Sequence, residues 1–178
     1  SIDDLILSLE DGRRTPEEFV SEITVNVTEM FRDPAFWTVM REHILPNLML
    51  NHDKINIWHA GCSSGEEVYS MAIVLKELGM LDKATITATD IDESILKKAK
   101  SGIYPLKNME VHKKNYELYK GRWDMSYYFR EQKNEAVMNP DLTKNVRFIK
   151  HDLVHGEMVN KFDLILCRNV MIYFNQHL

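Results

Sequence analysis

Gly61, Ser63 and Gly65, followed at once by Glu66 and Glu67, make "WHAGCSSGEEVYS" (residues 58–70) a small-residue turn that opens a helix. In dinucleotide-binding folds, such glycines let the backbone approach a ligand closely, and the helix N-terminus holds the pyrophosphate. Here two carboxylates occupy that N-terminus, where they would repel a phosphate drawn by the helix dipole. S-adenosylmethionine suits the turn better: it has an adenosine, no phosphate, and two positive centres in its α-ammonium and sulfonium. Asp90, which ends "ATITATD" about 25 residues beyond the turn, is placed to take ribose hydroxyls. A lone glycine turn is weak evidence, so a nicotinamide cofactor stays open at this point. So does the plainer account, in which the glutamates only complement the dipole of an ordinary helix.

The elements that must position these residues follow from periodicity. "INIWHAG", "ATITATD", "VRFIKHD" and "FDLILCRN" are short runs rich in β-formers, each ending in a small or polar residue. They read as buried parallel strands. Helical patterns lie between the first two (Glu66 to Leu78) and after the second (Asp92 to Ser101), so β-α-β-α order and right-handed crossovers predict an α/β fold with a doubly wound sheet. Its ligand edge is the carboxyl end of the strands. Upstream, Thr15-Pro16-Glu17-Glu18 and Asp33-Pro34 are helix starts, and Pro46 is a kink or break in the second helix. Residues 105–145 break the rhythm and read as an inserted subdomain, a lysine-rich helical stretch followed by a hairpin from "MSYYFREQ" and "NEAVMNP". The organisation expected is a shortened helical segment over 1–50 and a sheet domain over 51–178 containing that insert.

Composition narrows the function classes. The chain has 178 residues, 44% hydrophobic and 28% charged, the balance of one globular domain with a full core. A net charge of -5 argues against a general nucleic-acid binder, although Lys97, Lys98, Lys100, Lys107, Lys113, Lys114, Lys120 and Arg122 form a basic middle that either steers an acidic partner or is merely a solvated face. No apolar run has the length of a membrane span, and the first residues do not read as a signal peptide, so no membrane insertion and a cytoplasmic location are expected. Cys62 and Cys167 read as small packing residues, and the ten methionines as core filler. His151 and His155 in "HDLVH" lack the glutamate of a zinc helix, so no metal is expected; His59 reads as a satisfied interior histidine.

Four blocks, "NVTEMFRD", "AGCSSGEEVYS", "ATDIDESILKKAKSGIY" and "FDLILCRNVMIYF", stand in the order and approximate spacing of the chemotaxis receptor methyltransferases of the CheR type, which this chain resembles over residues 26–174. The resemblance implies a class I, Rossmann-like methyltransferase fold, S-adenosylmethionine as donor with S-adenosylhomocysteine as product, and chemoreceptor glutamates as acceptors, giving glutamyl methyl esters. By the same resemblance, Asn26, Thr28 and Arg32 match a motif covering the cofactor, Glu67 with its neighbour Glu66 the turn glutamate, and Asp90 the ribose-binding acid. Asp152 and Leu153 match the pair flanking adenine, Arg168 and Asn169 the "RN" pair after the fourth strand, and Tyr173 the tyrosine facing the transferred methyl.

A glutamate acceptor is already ionised at neutral pH, so this chemistry needs no base. It needs a desolvated, aligned carboxylate, with Arg32 as a guanidinium clamp and Tyr173 as an orienting hydroxyl. "RNVMIYF" also lacks the Pro-Pro-aromatic element of methyltransferases acting on nucleic-acid amino groups. Two departures qualify the resemblance. Only about 25 residues precede the first motif, fewer than the family's helical domain, and the sequence stops just after the fourth strand, which predicts an uncovered apolar edge open to self-association or a partner. In the family this chain resembles, members that grip a receptor-tail pentapeptide carry a glycine-containing loop in this subdomain; "FREQKNEAVMNPD" is shorter and has no glycine, so the resemblance implies receptor recognition without the pentapeptide. The competing reading is a cofactor-binding or regulatory module without turnover, and a third is methylation of another carboxylate.

Overall fold

A computed structural model describes residues 28–157 and 160–168. The helix start at Thr15 and the site residues Asn26, Asn169 and Tyr173 lie outside the described residues. In chain order the elements are α1 (Pro34–Val39), a π-helical turn (Met40–Ile44), α2 (Leu45–Asn51), β1 (Ile55–Ala60), α3 (Glu66–Glu77), β2 (Ala84–Asp90), α4 (Glu93–Ser101), β3 (Ile103–Pro105), α5 (Met109–Tyr119), β4 (Phe129–Gln132), β5 (Glu135–Met138), β6 (Val146–Lys150) and β7 (Leu164–Leu166), with short 3₁₀ turns between some of them.

The four apolar runs form one sheet in the order β6-β2-β1-β7, and every pairing is parallel. The chain steps outward from β1 to β2 to β6, then crosses back to the other side of β1. That reversal puts the topological switch point at the carboxyl ends of β1 and β7, the usual crevice for a ligand in an open α/β sheet. The register pairs His59 with Leu166, so the turn after β1 and the residues after β7 leave the sheet side by side.

Helix α3 is apolar around nearly its whole circumference, with Val68 to Leu75 all buried. A helix of that kind must be covered on both sides. The sheet covers one, and the inserted subdomain helps to cover the other. Each fully buried aliphatic side chain of this set contributes roughly 1.5–3 kcal/mol. Helix α4 is narrower: Asp92 caps it by accepting from Ser94 N–H at 2.8 Å, Gly102 ends it in the left-handed region, and only Leu96 and Ala99 are buried.

The break expected at Pro46 takes a specific form. Proline lacks the N–H for the ladder and crowds the carbonyl four residues back. The chain accommodates it with the π-helical turn just upstream, in which Leu45 N–H reaches the Met40 carbonyl five residues back.

The segment read as an insert, about residues 105–145, holds the expected hairpin, and a short strand just before it joins that hairpin. The expected hairpin, β4 and β5, gains a third antiparallel strand, β3, in the order β3-β5-β4. Three residues are too few to display alternation, so β3 had no periodic signal. A single buried carboxylate ties the insert to the sheet domain. Glu77, in the last turn of α3, accepts from the hydroxyls of Tyr116 (2.5 Å), Tyr119 (2.9 Å) and Tyr128 (2.9 Å) and from Arg122 N–H (3.0 Å). Burial pushes all three phenols above their ordinary range, so they remain donors.

Candidate functional site

The turn after β1 is fixed by the end of β2. Gly61, Ser63 and Gly65 all have positive φ (73°, 48° and 91°), and only the serine departs from the residue type that tolerates this freely. Asp90 clasps the turn: its Oδ2 accepts from Ser63 N–H at 2.8 Å, its Oδ1 from Asp92 N–H at 3.1 Å, and Cys62 N–H reaches the Thr89 carbonyl at 2.8 Å. Burial raises the Asp90 carboxyl above its ordinary value, against the pull of those amides. Gly65 serves packing, because a Cβ there would lie 2.9 Å from the Ala99 Cβ of α4.

The two turn glutamates have different surroundings. Glu66 is buried, with both carboxyl oxygens on the Ser64 hydroxyl at 3.0 and 2.7 Å, and burial raises it above the usual carboxylate range. Glu67 meets His59 Nδ1 through Oε1 at 2.8 Å and accepts from Arg168 through Oε2 at 3.2 Å. Burial opposes its ionisation, but the His59 hydrogen bond and charge, then Arg168, outweigh it and hold Glu67 below its ordinary value. Arg168 continues the chain of charges by donating to Asp33, and its guanidinium lies over the Phe36 ring, 4.2 Å from the centroid. Four elements thus meet at one charged string: β1, α3, the exit of β7 and the start of α1.

Arg32 sits on a turn held by strain and anchors. Its neighbours Phe31 and Asp33 both have left-handed backbones, at φ 55° and 57°, which cost of order 1–3 kcal/mol each for such residues. The chain is tied down there by Phe31 N–H to Ser70 Oγ (2.8 Å), Met30 N–H to His112 Nδ1 (3.2 Å) and Trp37 Nε1–H to the Arg32 carbonyl (3.0 Å). The fully buried Phe31 ring stacks on Tyr119 at 4.8 Å. Arg32 and Thr28 are half-buried.

Asp152 and Leu153 follow β6, whose end is joined to β2 by His151 N–H to the Asp90 carbonyl at 2.9 Å. The Asp152 carboxylate closes its own turn, accepting from Val154 N–H at 2.8 Å with His155 Nδ1 at 3.0 Å, and these contacts hold it below its ordinary value. The His151 ring packs instead near Trp58. No group of three or more His, Cys, Asp or Glu among the described residues could hold a metal ion.

Sequence reasoning placed Glu67 and Arg168 in the site but not their bond, and it missed the other partners. Asp33 looked like a helix cap; its left-handed backbone takes it out of capping geometry, and the carboxylate goes to Arg168. His59 is buried as expected, yet Nε2 has no partner among the described residues, so the satisfied reading is corrected to half-satisfied. In this chain the penultimate residue of β1 meets the first turn of α3, a contact that strand alternation permits and sequence alone does not specify.

A parallel sheet with a glycine turn at its switch point, an acid closing that turn from the next strand and acidic side chains at the helix start define a class I methyltransferase fold. Residues 26–178 match the family described as CheR methyltransferase, SAM binding domain, and the chain belongs to it. It is similar to Cher3 of Pseudomonas putida (42% identical over 161 residues, covering 90% of this chain and 59% of that protein). It is also similar to a chemotaxis protein methyltransferase of Listeria innocua (36% over 159 residues; 89% and 58%) and one of Vibrio anguillarum (36% over 186 residues; 98% and 64%). The chain therefore spans less than two thirds of the length of these relatives. S-adenosylmethionine is the cofactor this domain family denotes. The residues fit it: Glu67 puts an ionised carboxylate in the first turn of α3, suited to an ammonium and hostile to a phosphate, and Asp90 accepts from two amides with lone pairs left for hydroxyl donors.

Proposed function

We propose that this chain is the cofactor-binding part of a protein-glutamate O-methyltransferase that esterifies glutamate side chains of chemoreceptors in the cytoplasm. Support comes first from Glu67, kept ionised between His59 and Arg168 at the switch point beside the Asp90 clasp. The chemotaxis methyltransferases among the relatives point to the same pathway.

When bound, S-adenosylmethionine supplies an electrophilic methyl group on a positive sulfur. Asp90 would take the ribose hydroxyls, Glu67 the α-ammonium, Asp152 and Leu153 the adenine edge, and Gly61 the close backbone approach. Arg168 and Asn169 would complete the wall at the exit of β7, with Asn26 and Thr28 in the covering strap. Arg32 would clamp the acceptor carboxylate, and Tyr173 would orient it. The acceptor arrives as an anion, so these residues need move no proton; they exclude water and align. Such positioning lowers barriers by about 7–11 kcal/mol in favourable systems.

Receptor recognition would not use a tail pentapeptide. The β4–β5 connection is a two-residue turn, Lys133 and Asn134, with Lys133 at φ 56°, which leaves no glycine-containing loop. Tight calorimetric binding of that pentapeptide would contradict this part. The main proposal is tested by incubating the chain with radiolabelled S-adenosylmethionine and a receptor cytoplasmic fragment. Base-labile methyl esters on receptor glutamates are expected. Cofactor binding without esters would instead favour a binding module that does not turn over.

A further inference from the structure

His59 and Asp33 are the members of the charged string with no role assigned by the chemistry above, and of the two only His59 is buried. It occupies the penultimate position of β1, is fully buried, and sends Nδ1 to Glu67 Oε1 at 2.8 Å. The carboxylate can only accept, so the proton of this bond sits on Nδ1. Nε2 finds no partner among the described residues. An imidazole buried with one nitrogen unsatisfied is a costly choice for a strand interior, where an apolar residue would pack without penalty. Its one satisfied contact is with the glutamate that opens α3.

Glu67 has a flexible two-methylene stem and is approached by Arg168 from beyond β7. With Arg168 alone, the carboxylate could follow the guanidinium outward, toward Asp33 and Phe36. A second donor on the interior side fixes the plane of the carboxylate. We propose that His59 is a positioning residue of the cofactor site: its Nδ1–H pins Glu67 Oε1 so that the carboxylate stands fixed at the switch point before any ligand arrives. The inference rests on the reading of Glu67 as the ammonium-binding group. It makes His59 a determinant of cofactor affinity without contact to the cofactor.

Three substitutions separate the hydrogen bond from simple packing. The Asn side-chain nitrogen stands as many bonds from the backbone as Nδ1, the Gln nitrogen stands one bond further out, and Leu keeps similar branching with no donor. Titration calorimetry with S-adenosylhomocysteine should find dissociation constants at least tenfold higher for His59→Leu and His59→Gln, and within about threefold of the unsubstituted chain for His59→Asn. Binding by His59→Leu within threefold of the unsubstituted chain, or His59→Asn as weak as His59→Leu, would overturn the proposal.

A ligand-free readout keeps the two readings apart. Carbon-13 NMR of the Glu67 carboxyl should give a titration midpoint that rises most in His59→Leu and His59→Gln and less in His59→Asn, which keeps a donor in place and loses only the imidazole's charge. The groups that bear on this titration are His59 from β1, Arg168 beyond β7 with Asp33 behind it, the thiols Cys62 and Cys167, and the neighbouring Glu66. An unchanged midpoint in His59→Leu would reject the positioning role even where the cofactor binds. Failure of the unsubstituted chain to bind S-adenosylhomocysteine, with the midpoint moving as expected, would reject the cofactor reading and leave the pin in place.

Discussion

Helix α3 carries a largely buried glutamate at each end, and the two ends solve the same problem differently. At the N-terminus the helix dipole already favours Glu67, and its partners are an arginine and an imidazole drawn from two other elements. At the C-terminus the dipole disfavours Glu77, and four donors gather around it: three tyrosine hydroxyls and a backbone amide. Neutral donors from one subdomain enclose Glu77 and make it a rivet. An arginine and an imidazole from two other elements hold Glu67 without enclosing it. The difference teaches that the partners of a buried acid, rather than its burial, separate structural from binding roles.

The sharpest way to break this comparison is Glu77→Leu. It strands three phenols and an amide, so unfolding free energy should fall by roughly 3–5 kcal/mol in urea titrations, while the fraction that remains folded keeps its affinity for S-adenosylhomocysteine. Lost affinity in the folded fraction would mean that the two ends are one unit. Next in size, Gly65→Ala puts a Cβ against Ala99 and forces alanine to φ 91°, which should cost about 1–3 kcal/mol by the same titration.

A pH test examines the strap that carries Arg32. Burial pushes His112 down to about 4, against a weaker upward pull from Glu29. The unfolded imidazole protonates near pH 6.5, so between these values the unfolded state holds more protons and stability falls as pH drops from about 6.5 through about 4. His112→Leu should remove that component, seen as a smaller difference between urea midpoints at pH 7 and pH 4.5. Glu67, whose folded value is lowered, acts further down: its contribution is present above the unfolded carboxyl value near 4.3 and is lost as pH falls through the folded value. The smallest effect belongs to Asp33→Asn. Its side chain is 64% exposed, so losing its charge on Arg168 should change stability by less than about 1 kcal/mol, and a larger loss would make the outer end of the string a structural clamp.

Much of the Glu67 end was legible in the sequence because its parts are local. The turn, the glutamates and the strand-ending Asp90 follow one another within β1-α3-β2, and hydrophobic runs gave all four sheet strands and their order in the chain. The Glu77 end was not legible. Its donors lie 39 to 51 residues away in an insert whose tyrosines read as ordinary core aromatics. For the same reason β3 and the Asp33–Arg168 pair escaped notice: neither periodicity nor capping rules carry information about contacts made 30 to 135 residues apart. Pro46 shows the middle case, where a local rule foresaw a disturbance and only the helix geometry gave it the form of a π-helical turn.

The most direct test of the central claim is an isothermal titration of S-adenosylhomocysteine into the chain and its Glu67→Ala variant, with NAD as control. Saturable one-to-one binding, weakened at least tenfold in the variant and absent for NAD, is the predicted result. Equal affinity of a folded Glu67→Ala variant, or tighter binding of NAD, would contradict the assignment of the α3 N-terminus as an ammonium site.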